Sequence, residues 1–312
     1  LQSWQYGHAK QTVENWDAHR YIIINDNGEE IALVQVFIKK IPIIGSIARI
    51  NRGPLILKQI DEQKKERIIL NVISALITKS RNSGWRMLQI APEINNTEAV
   101  ISELKNLGLR QLSVPPWASG LLLLDPNKEE LLMGLNGKWR NCLRKGLRSK
   151  FSVKKYDIDI HQKVSYKISY KILQKILDNY KKLKHDNQFS GISESLLESI
   201  ALQSGDNWET NLFIANENIG GSDDDPIGML VSIDYGDTSI YLIGTTNLKG
   251  RKLNANYVLL WEAILSAKNE GCKWFDIGGL DKTTPPGIAH FKKGLNAIPY
   301  ALIGEWRLFN LP

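Results

Sequence analysis

The sequence predicts an α/β chain of two domains, and three observations carry that expectation. At roughly 150 residues per domain, 312 residues divide into about two. A composition that is 43% hydrophobic and 23% charged supplies a large core and excludes a disordered chain, a collagen or a disulfide-stapled miniprotein. The third observation is an order of apolar patterns, a strand meander followed by helix and strand, that occurs twice along the chain.

Tyr21 to Ile24 and Ile31 to Ile38 are β-branched apolar runs flanking Asp26-Asn27-Gly28, the pattern of a β-hairpin. Ile47 to Asn51 reads as a third strand, closed by Arg52-Gly53-Pro54. From Asp61 to Ser83 the positions Ile68, Ile69, Val72, Ile73, Leu76 and Ile77 recur at helical spacing, and Gly84 supplies a stop. Trp85 to Ile90 follows as a strand, and Thr97 to Leu107 as a helix ended by Gly108. This is the order of an α/β acyltransferase-like domain. Leu121 to Leu124, then Asp125-Pro126, mark the boundary, giving domains of residues 1–124 and 125–302.

In the second half, Asn211 to Ala215, Ile227 to Asp234 and Ser239 to Gly244 read as three antiparallel strands, with Asn216 to Pro226 as a solvated acidic loop. Asn254 to Asn269 is a helix, Trp274 to Ile277 a strand, and Pro299 to Phe309 supplies the last strand.

The net charge of +7 is unevenly placed. Lys138 to Lys184 carries 15 Lys and Arg against Asp157, Asp159 and Asp178, a local +12 that leaves −5 on the remainder. Two helices are read there. In Lys138 to Arg148, Trp139, Cys142, Leu143 and Leu147 form an apolar stripe, and Arg140, Arg144 and Arg148 a basic one. In Lys163 to Lys184, Val164, Ile168, Ile172, Ile176, Tyr180 and Leu183 are expected to face a core, while Lys163, Lys167, Lys171 and Lys175 repeat every four residues. Like charges at that spacing cost about 0.2–0.5 kcal/mol per pair. Two such stripes predict either a polyanion-binding surface or a solvated basic face.

Other classes recede. The longest stretch free of Asp, Glu, Lys and Arg, Gln111 to Leu124, is too short for a bilayer span of about 20 residues. Leu1-Gln2-Ser3-Trp4 opens without a basic n-region, so the expectation is a cytoplasmic chain. Cys142 and Cys272 stand 130 positions apart with no Cys/His cluster, which predicts no metal centre and two ordinary thiols. No Ser-His-Asp signature, phosphate loop or HExxH motif occurs, and His290 reads as a packing or surface residue. Arg251-Lys252-Leu253-Asn254-Ala255 ahead of a helix is similar to the pyrophosphate loop of acetyl-CoA N-acetyltransferases, with Asn254 where the first glycine belongs.

Trp274-Phe275-Asp276-Ile277-Gly278-Gly279-Leu280, then Gly287 to Gly294 (Gly-Ile-Ala-His-Phe-Lys-Lys-Gly), then Ile303-Gly304-Glu305-Trp306, preceded by Leu259 to Ile264, resemble the FemABX family of aminoacyl-tRNA-dependent transferases that build peptidoglycan cross-bridges. Gln2-Ser3-Trp4 with Lys10 and Trp16, the turn Arg52-Gly53-Pro54, and Trp139 to Lys145 resemble earlier parts of its pattern, so the likeness spans nearly the whole chain.

The resemblance implies two GNAT-like acyltransferase domains in tandem, with residues 303–312 returning to the first and no long coiled-coil arm. It implies a monomer without a cofactor that moves an amino acid from aminoacyl-tRNA to UDP-MurNAc-pentapeptide or lipid II, with peripheral contact at the inner membrane surface. Lys10 and Arg251 match residues that hold the acceptor diphosphate. Phe291 and Lys292 match the pair at the aminoacyl ester, and Arg140, Arg144, Arg148, Lys167 and Lys171 are the expected tRNA contacts. Ala91 departs from the acidic residue the family usually carries there. The alternatives are an acyl-CoA-dependent N-acyltransferase and a non-catalytic RNA- or membrane-surface-binding module.

The chemistry of the residues agrees. An aminoacyl ester is already activated, so transfer needs a free amine, alignment and a cation or donor at the tetrahedral oxyanion. Lys292 is suited to that oxyanion or to the terminal phosphate of tRNA. Asp276 and Glu305 are open to two readings, as proton acceptor or as turn and strand ligand.

Overall fold

The computed structural model describes residues 1–43, 45–58, 60–158, 163–188, 191–217 and 225–310. Most of the acidic loop expected between Asn216 and Pro226 lies outside them. In chain order the elements are α1 (Trp4–Glu14), β1 (Asp17–Ile24), β2 (Glu30–Ile41), β3 (Gly45–Asn51), β4 (Leu55–Ile56), α2 (Glu62–Asn82), β5 (Trp85–Ala91), α3 (Glu98–Asn106), β6 (Arg110–Gln111), β7 (Ala118–Leu123), α4 (Lys128–Gly134) and α5 (Gly137–Leu147). There follow β8 (Ser152–Asp157), α6 (Lys163–Asn187), α7 (Glu194–Ala201), β9 (Trp208–Asn216), β10 (Gly228–Tyr235), β11 (Thr238–Thr246), α8 (Leu248–Lys252), α9 (Ala255–Asn269), β12 (Trp274–Asp276), α10 (Pro286–Lys293), β13 (Ile298–Ala301) and β14 (Trp306–Phe309). Two compact units result, residues 1–118 with 300–312 and residues 119–299. Among the described residues no helix is long and apolar enough to cross a membrane.

The first unit is built on the sheet β1-β2-β3-β5-β14-β6, with β4 on β2. The expected hairpin forms, with Tyr21 opposite Val34 and Ile23 opposite Ala32. Helices α2 and α3 cover the sheet because their apolar rows, Ile69, Val72, Ile73, Leu76 and Ile77 and then Val100 and Leu104, are buried against Val34, Ile50, Leu88 and Ile90. The final stretch is two short strands rather than one, since the chain turns at Gly304 with φ +89°. β14 pairs antiparallel with both β5 and β6 and sends Trp306, wholly buried, into this core.

The second unit has the sheet β13-β7-β12-β11-β10-β9-β8, covered on both faces. Alternation within β9 shows it: Phe213 and Ala215 join α5 and α9 in one core, whereas Leu212 and Ile214 join α6 and α7 in another.

Two expected stripes need correction. Val164 (78% exposed) and Ile168 (48%) lie outside the core, whereas Ser169, Ile172, Leu173, Ile176, Leu177 and Tyr180 are the buried row. A strict i,i+4 row advances about 40° around the helix at every step, so it cannot face one sheet for sixteen residues. Ser169 takes the inward place at that turn and donates to the Asp157 carbonyl at 2.7 Å. On α5, Trp139 and Leu143 are buried and Cys142 half-buried, but Leu147 at the last turn is exposed.

Gly250 sits where α8 crosses the start of β10, and a Cβ there would stand 2.0 Å from the Ile227 carbonyl oxygen. A backbone oxygen cannot swing aside as a side chain can. Gly250→Ala should therefore lower the thermal unfolding midpoint, at a cost of about 1–3 kcal/mol or more. Gly137→Ala, with nothing within 4 Å of the new methyl, should stay within about 1 kcal/mol of the parent. Equal melting curves for the two variants, followed by circular dichroism, would contradict this.

Candidate functional site

β11 and β12 pair in parallel over only three residues, Thr238, Ser239 and Ile240 against Trp274, Phe275 and Asp276. β12 ends at Asp276, whereas β11 continues to Thr246. Tyr241, Gly244, Thr245 and Thr246 thus run on past the end of their neighbour and wall a cavity of about 430 Å³. Asn256 and Leu259 of α9 form a second wall, and Ile288 and Phe291 of α10 a third.

Arg251 also lines this cavity, from the short helix α8. The connection to α9 turns at Asn254, whose φ of 59° and ψ of 32° are left-handed. Asn is one of the few side chains that tolerate this conformation, so it does the conformational work that a glycine does in related loops. Its side chain makes no cap, while its carbonyl accepts from Tyr257 N at 3.1 Å.

Phe291 and Lys292 diverge although adjacent, because neighbouring residues on a helix point about 100° apart. Phe291 joins an aromatic trio, its ring 5.0 Å from Tyr257 and 5.9 Å from Trp139, with Tyr257 and Trp139 5.0 Å apart. Trp139 comes from α5, so the basic helix and α10 share one packing unit. The contact is close: a Cβ on Gly294 would meet the Trp139 ring at 2.5 Å, and Asn136 N donates to the Gly294 carbonyl at 2.9 Å. Burial and a hydrogen bond to Cys142 push the Tyr257 phenol up to about 12.

Lys292 is 6% exposed. Its Nζ donates to the Gly279 carbonyl at 3.2 Å and stands 4.9 Å from the centre of the Tyr241 ring. Burial holds the ammonium pKa down at about 8, opposed by the charges of Asp276 and Asp281. The backbone that receives it is fixed by Asp276, only 2% exposed, whose Oδ1 accepts from Gly278 N at 2.9 Å and from the Ser119 hydroxyl. Asp276 is thus a turn ligand, one of the two roles expected for it.

Lys10 lies on α1 of the first unit, ion-paired with Glu14 and 5.9 Å from the Trp16 ring. Arg251, Phe291 and Lys292 all belong to the second unit, where Arg251 and Phe291 share the cavity wall and Lys292 packs behind Tyr241. Arg144 is exposed on α5 and Arg148 just beyond its C-terminal end, and Lys167 and Lys171 are exposed on α6. Arg140 is half-buried, donating to the Met133 carbonyl at 2.8 Å and so closing the end of α4. His290 is exposed. Glu305 receives Arg49 at 2.8 Å and Gln89, which makes it a ligand of the first sheet. Among the described residues no three His, Cys, Asp or Glu side chains gather as metal ligands. Sequence reasoning missed Tyr241 and Ser119, since a lone Tyr or Ser inside a strand carries no motif.

Comparison with known proteins adds a family. The FemAB family model matches residues 153–312. No curated protein matches this sequence. Among solved structures, that of FemX superposes with a TM-score of 0.76 at 18% identity, covering 99% of this chain and 92% of its own. A tandem GNAT protein from the clavulanic acid biosynthesis pathway gives 0.53 at 11%, covering 95% and 84%. The C-terminal domain of a putative lysylphosphatidylglycerol synthetase from Agrobacterium fabrum gives 0.52 at 12%, covering 93% and 84%. At these identities the likeness is one of fold, two GNAT-like domains in tandem. The family match spans just over half of the chain, which therefore belongs to the FemAB family of peptidoglycan-bridge transferases.

Proposed function

We propose that the chain transfers an aminoacyl group from tRNA to the stem-peptide amine of a peptidoglycan precursor, UDP-MurNAc-pentapeptide or lipid II. The acceptor nitrogen attacks the ester carbonyl, the carbon–oxygen bond to the tRNA ribose breaks, that oxygen takes a proton, and the nitrogen loses one. Negative charge develops on the carbonyl oxygen in between. The observation that carries the reading is a buried ammonium, Lys292, behind the wall of a mostly apolar cavity, where weak screening makes a cation effective. Arg251 is assigned to an acceptor phosphate and Phe291 to the ester end of the donor within the second unit, Lys10 to substrate binding by the first unit, and Arg144, Arg148, Lys167 and Lys171 to RNA phosphates. The direct test supplies charged tRNA and UDP-MurNAc-pentapeptide and looks for ribonuclease-sensitive transfer. Transfer from an acyl-CoA that resists ribonuclease would replace this donor with the other.

If the lysine cation is the active form, its protonation sets the upper pH limit. Lys292 is charged below about 8 and loses its proton above it, so kcat should fall as pH rises through that value. Lys292→Met should lower kcat about 100- to 1,000-fold, the usual cost of an oxyanion partner, and flatten the alkaline limb. Lys293→Met, altering an exposed neighbour, should be mild. Lys292→Arg should retain part of the rate and carry the limb beyond the accessible range, since a guanidinium keeps its proton. A near-normal single-turnover rate in Lys292→Met removes the residue from the chemistry.

Arg251→Met should raise the acceptor KM by about one to two orders of magnitude, from about 1.5–3 kcal/mol per charged contact, with the fold retained. Calorimetry showing parental affinity for the UDP-linked acceptor would refute the assignment. Reversing Arg144 and Arg148 to Glu should weaken tRNA binding and flatten its salt dependence by about 0.7 in log–log slope per lost contact. An unchanged slope would make α5 a solvated basic face.

A further inference from the structure

We infer that Asp276 and Ser119 are positioning residues for Lys292: together they lock the Gly278–Gly279 turn whose carbonyl anchors the lysine ammonium behind Tyr241. The inference concerns the resting protein, and only its kinetic consequence rests on the transferase reading proposed above.

Four observations support it, all within the second unit. Asp276 and Ser119 are buried, at 2% and 1% exposure, so neither is a surface ornament. Asp276 Oδ1 receives both Gly278 N and the Ser119 hydroxyl, and Ser119 Oγ also lies 2.7 Å from the Gly278 carbonyl. One carboxylate and one hydroxyl therefore engage both ends of the Gly278 residue. That glycine has φ +73°, and a Cβ on it would lie 2.8 Å from the Tyr241 carbonyl and 3.1 Å from Lys292 Nζ. The turn is thus pressed against both the cavity wall and the ammonium, as only a residue without a side chain permits. Finally, the next carbonyl, Gly279 O, is the acceptor for Lys292 Nζ. A rotation of the turn would carry that acceptor away.

The carboxylate also acts through charge. The ionisable groups facing Lys292 are Asp276 from β12, Asp281 from the following loop and Tyr241 from β11, while His290 and Lys293 on its own helix are exposed. Asp276 is the larger of the two acidic influences named, and both favour the charged amine against the effect of burial. Buried opposite charges within about 4–6 Å typically move a pKa by about 1–3. Geometry and charge can be separated, because Ser119 contributes only to the first.

The test uses the full chain without substrates. Brief acetic anhydride labelling across a pH series, with mass spectrometry of the Lys292 peptide, gives the midpoint at which the amine becomes reactive and its plateau rate. Asp276→Asn keeps the shape and removes the charge, and should move the midpoint down by about one pH unit or more. Ser119→Ala keeps the charge and loosens the turn, so the midpoint should hold while the plateau rate rises severalfold. Asp281→Asn, in a more exposed loop, should shift the midpoint less than Asp276→Asn. If Asp276→Asn does not fold, as a melting curve would reveal, the Ser119→Ala plateau decides alone. Midpoint and plateau at parental values in the folded variants would overturn the inference. Altered labelling with unaltered transfer kinetics would uphold the positioning role and sink the catalytic reading of Lys292 instead.

Discussion

The ladder between β11 and β12 holds for three residue pairs and then stops, and the chemistry available to the second unit depends on where it stops. Had β12 continued beside Tyr241 and Gly244 to Thr246, those backbone groups would have been consumed by a neighbouring strand. Instead the chain leaves at Asp276, turns through two glycines, and returns as α10 to close the gap with Phe291 and Lys292. The cavity, the buried lysine and the turn that receives it are all consequences of ending one short strand at an aspartate.

Burying a lysine is costly, and the surroundings offset the cost in three ways. A backbone carbonyl accepts one N–H, an aromatic face stands 4.9 Å away, and two carboxylates contribute favourable charge. The offset is incomplete, which is why the amine releases its proton more readily than a surface lysine does. A packing role alone would be served better by leucine or methionine at this position. The aromatic trio of Trp139, Tyr257 and Phe291 is what keeps α10 seated, so an anchor on the basic helix α5 helps determine where the lysine stands.

Much of the fold was legible because periodicity reports burial directly. The hairpin around Asp26-Asn27-Gly28, the long helix α2 and the three antiparallel strands of the second unit formed close to the expected residues. Helices α1, α4 and α7 were missed, although each begins with a readable N-cap, at Ser3, Asn127 and Ser193, and Asn127 with Glu130 forms a full capping box. α1 is only weakly amphipathic, and α4 and α7, at seven and eight residues, are too short to show a repeating hydrophobic row although α7 buries four apolar residues. The error on α6 came from treating an i,i+4 row as a straight line. At the site, the Asp276 to Gly279 and Phe291-Lys292 segments stood out in sequence, whereas their coupling through Ser119 did not. It joins positions 157 residues apart, a separation that no local pattern encodes.

The first unit carries a different kind of long-range dependence. Its sheet is interrupted between β5 and β6 until β14 enters, and β14 is translated after the whole second unit. On the ribosome, the nascent first unit must therefore wait with two unpaired strand edges and a core lacking Trp306 while some 180 further residues emerge. The second unit waits in the same way, since its first strand, β7, takes its place only between β12 and β13, the last two strands of that sheet. Each sheet is thus closed by strands made long after their partners, so contiguity of most of a unit in sequence does not let it complete its sheet early.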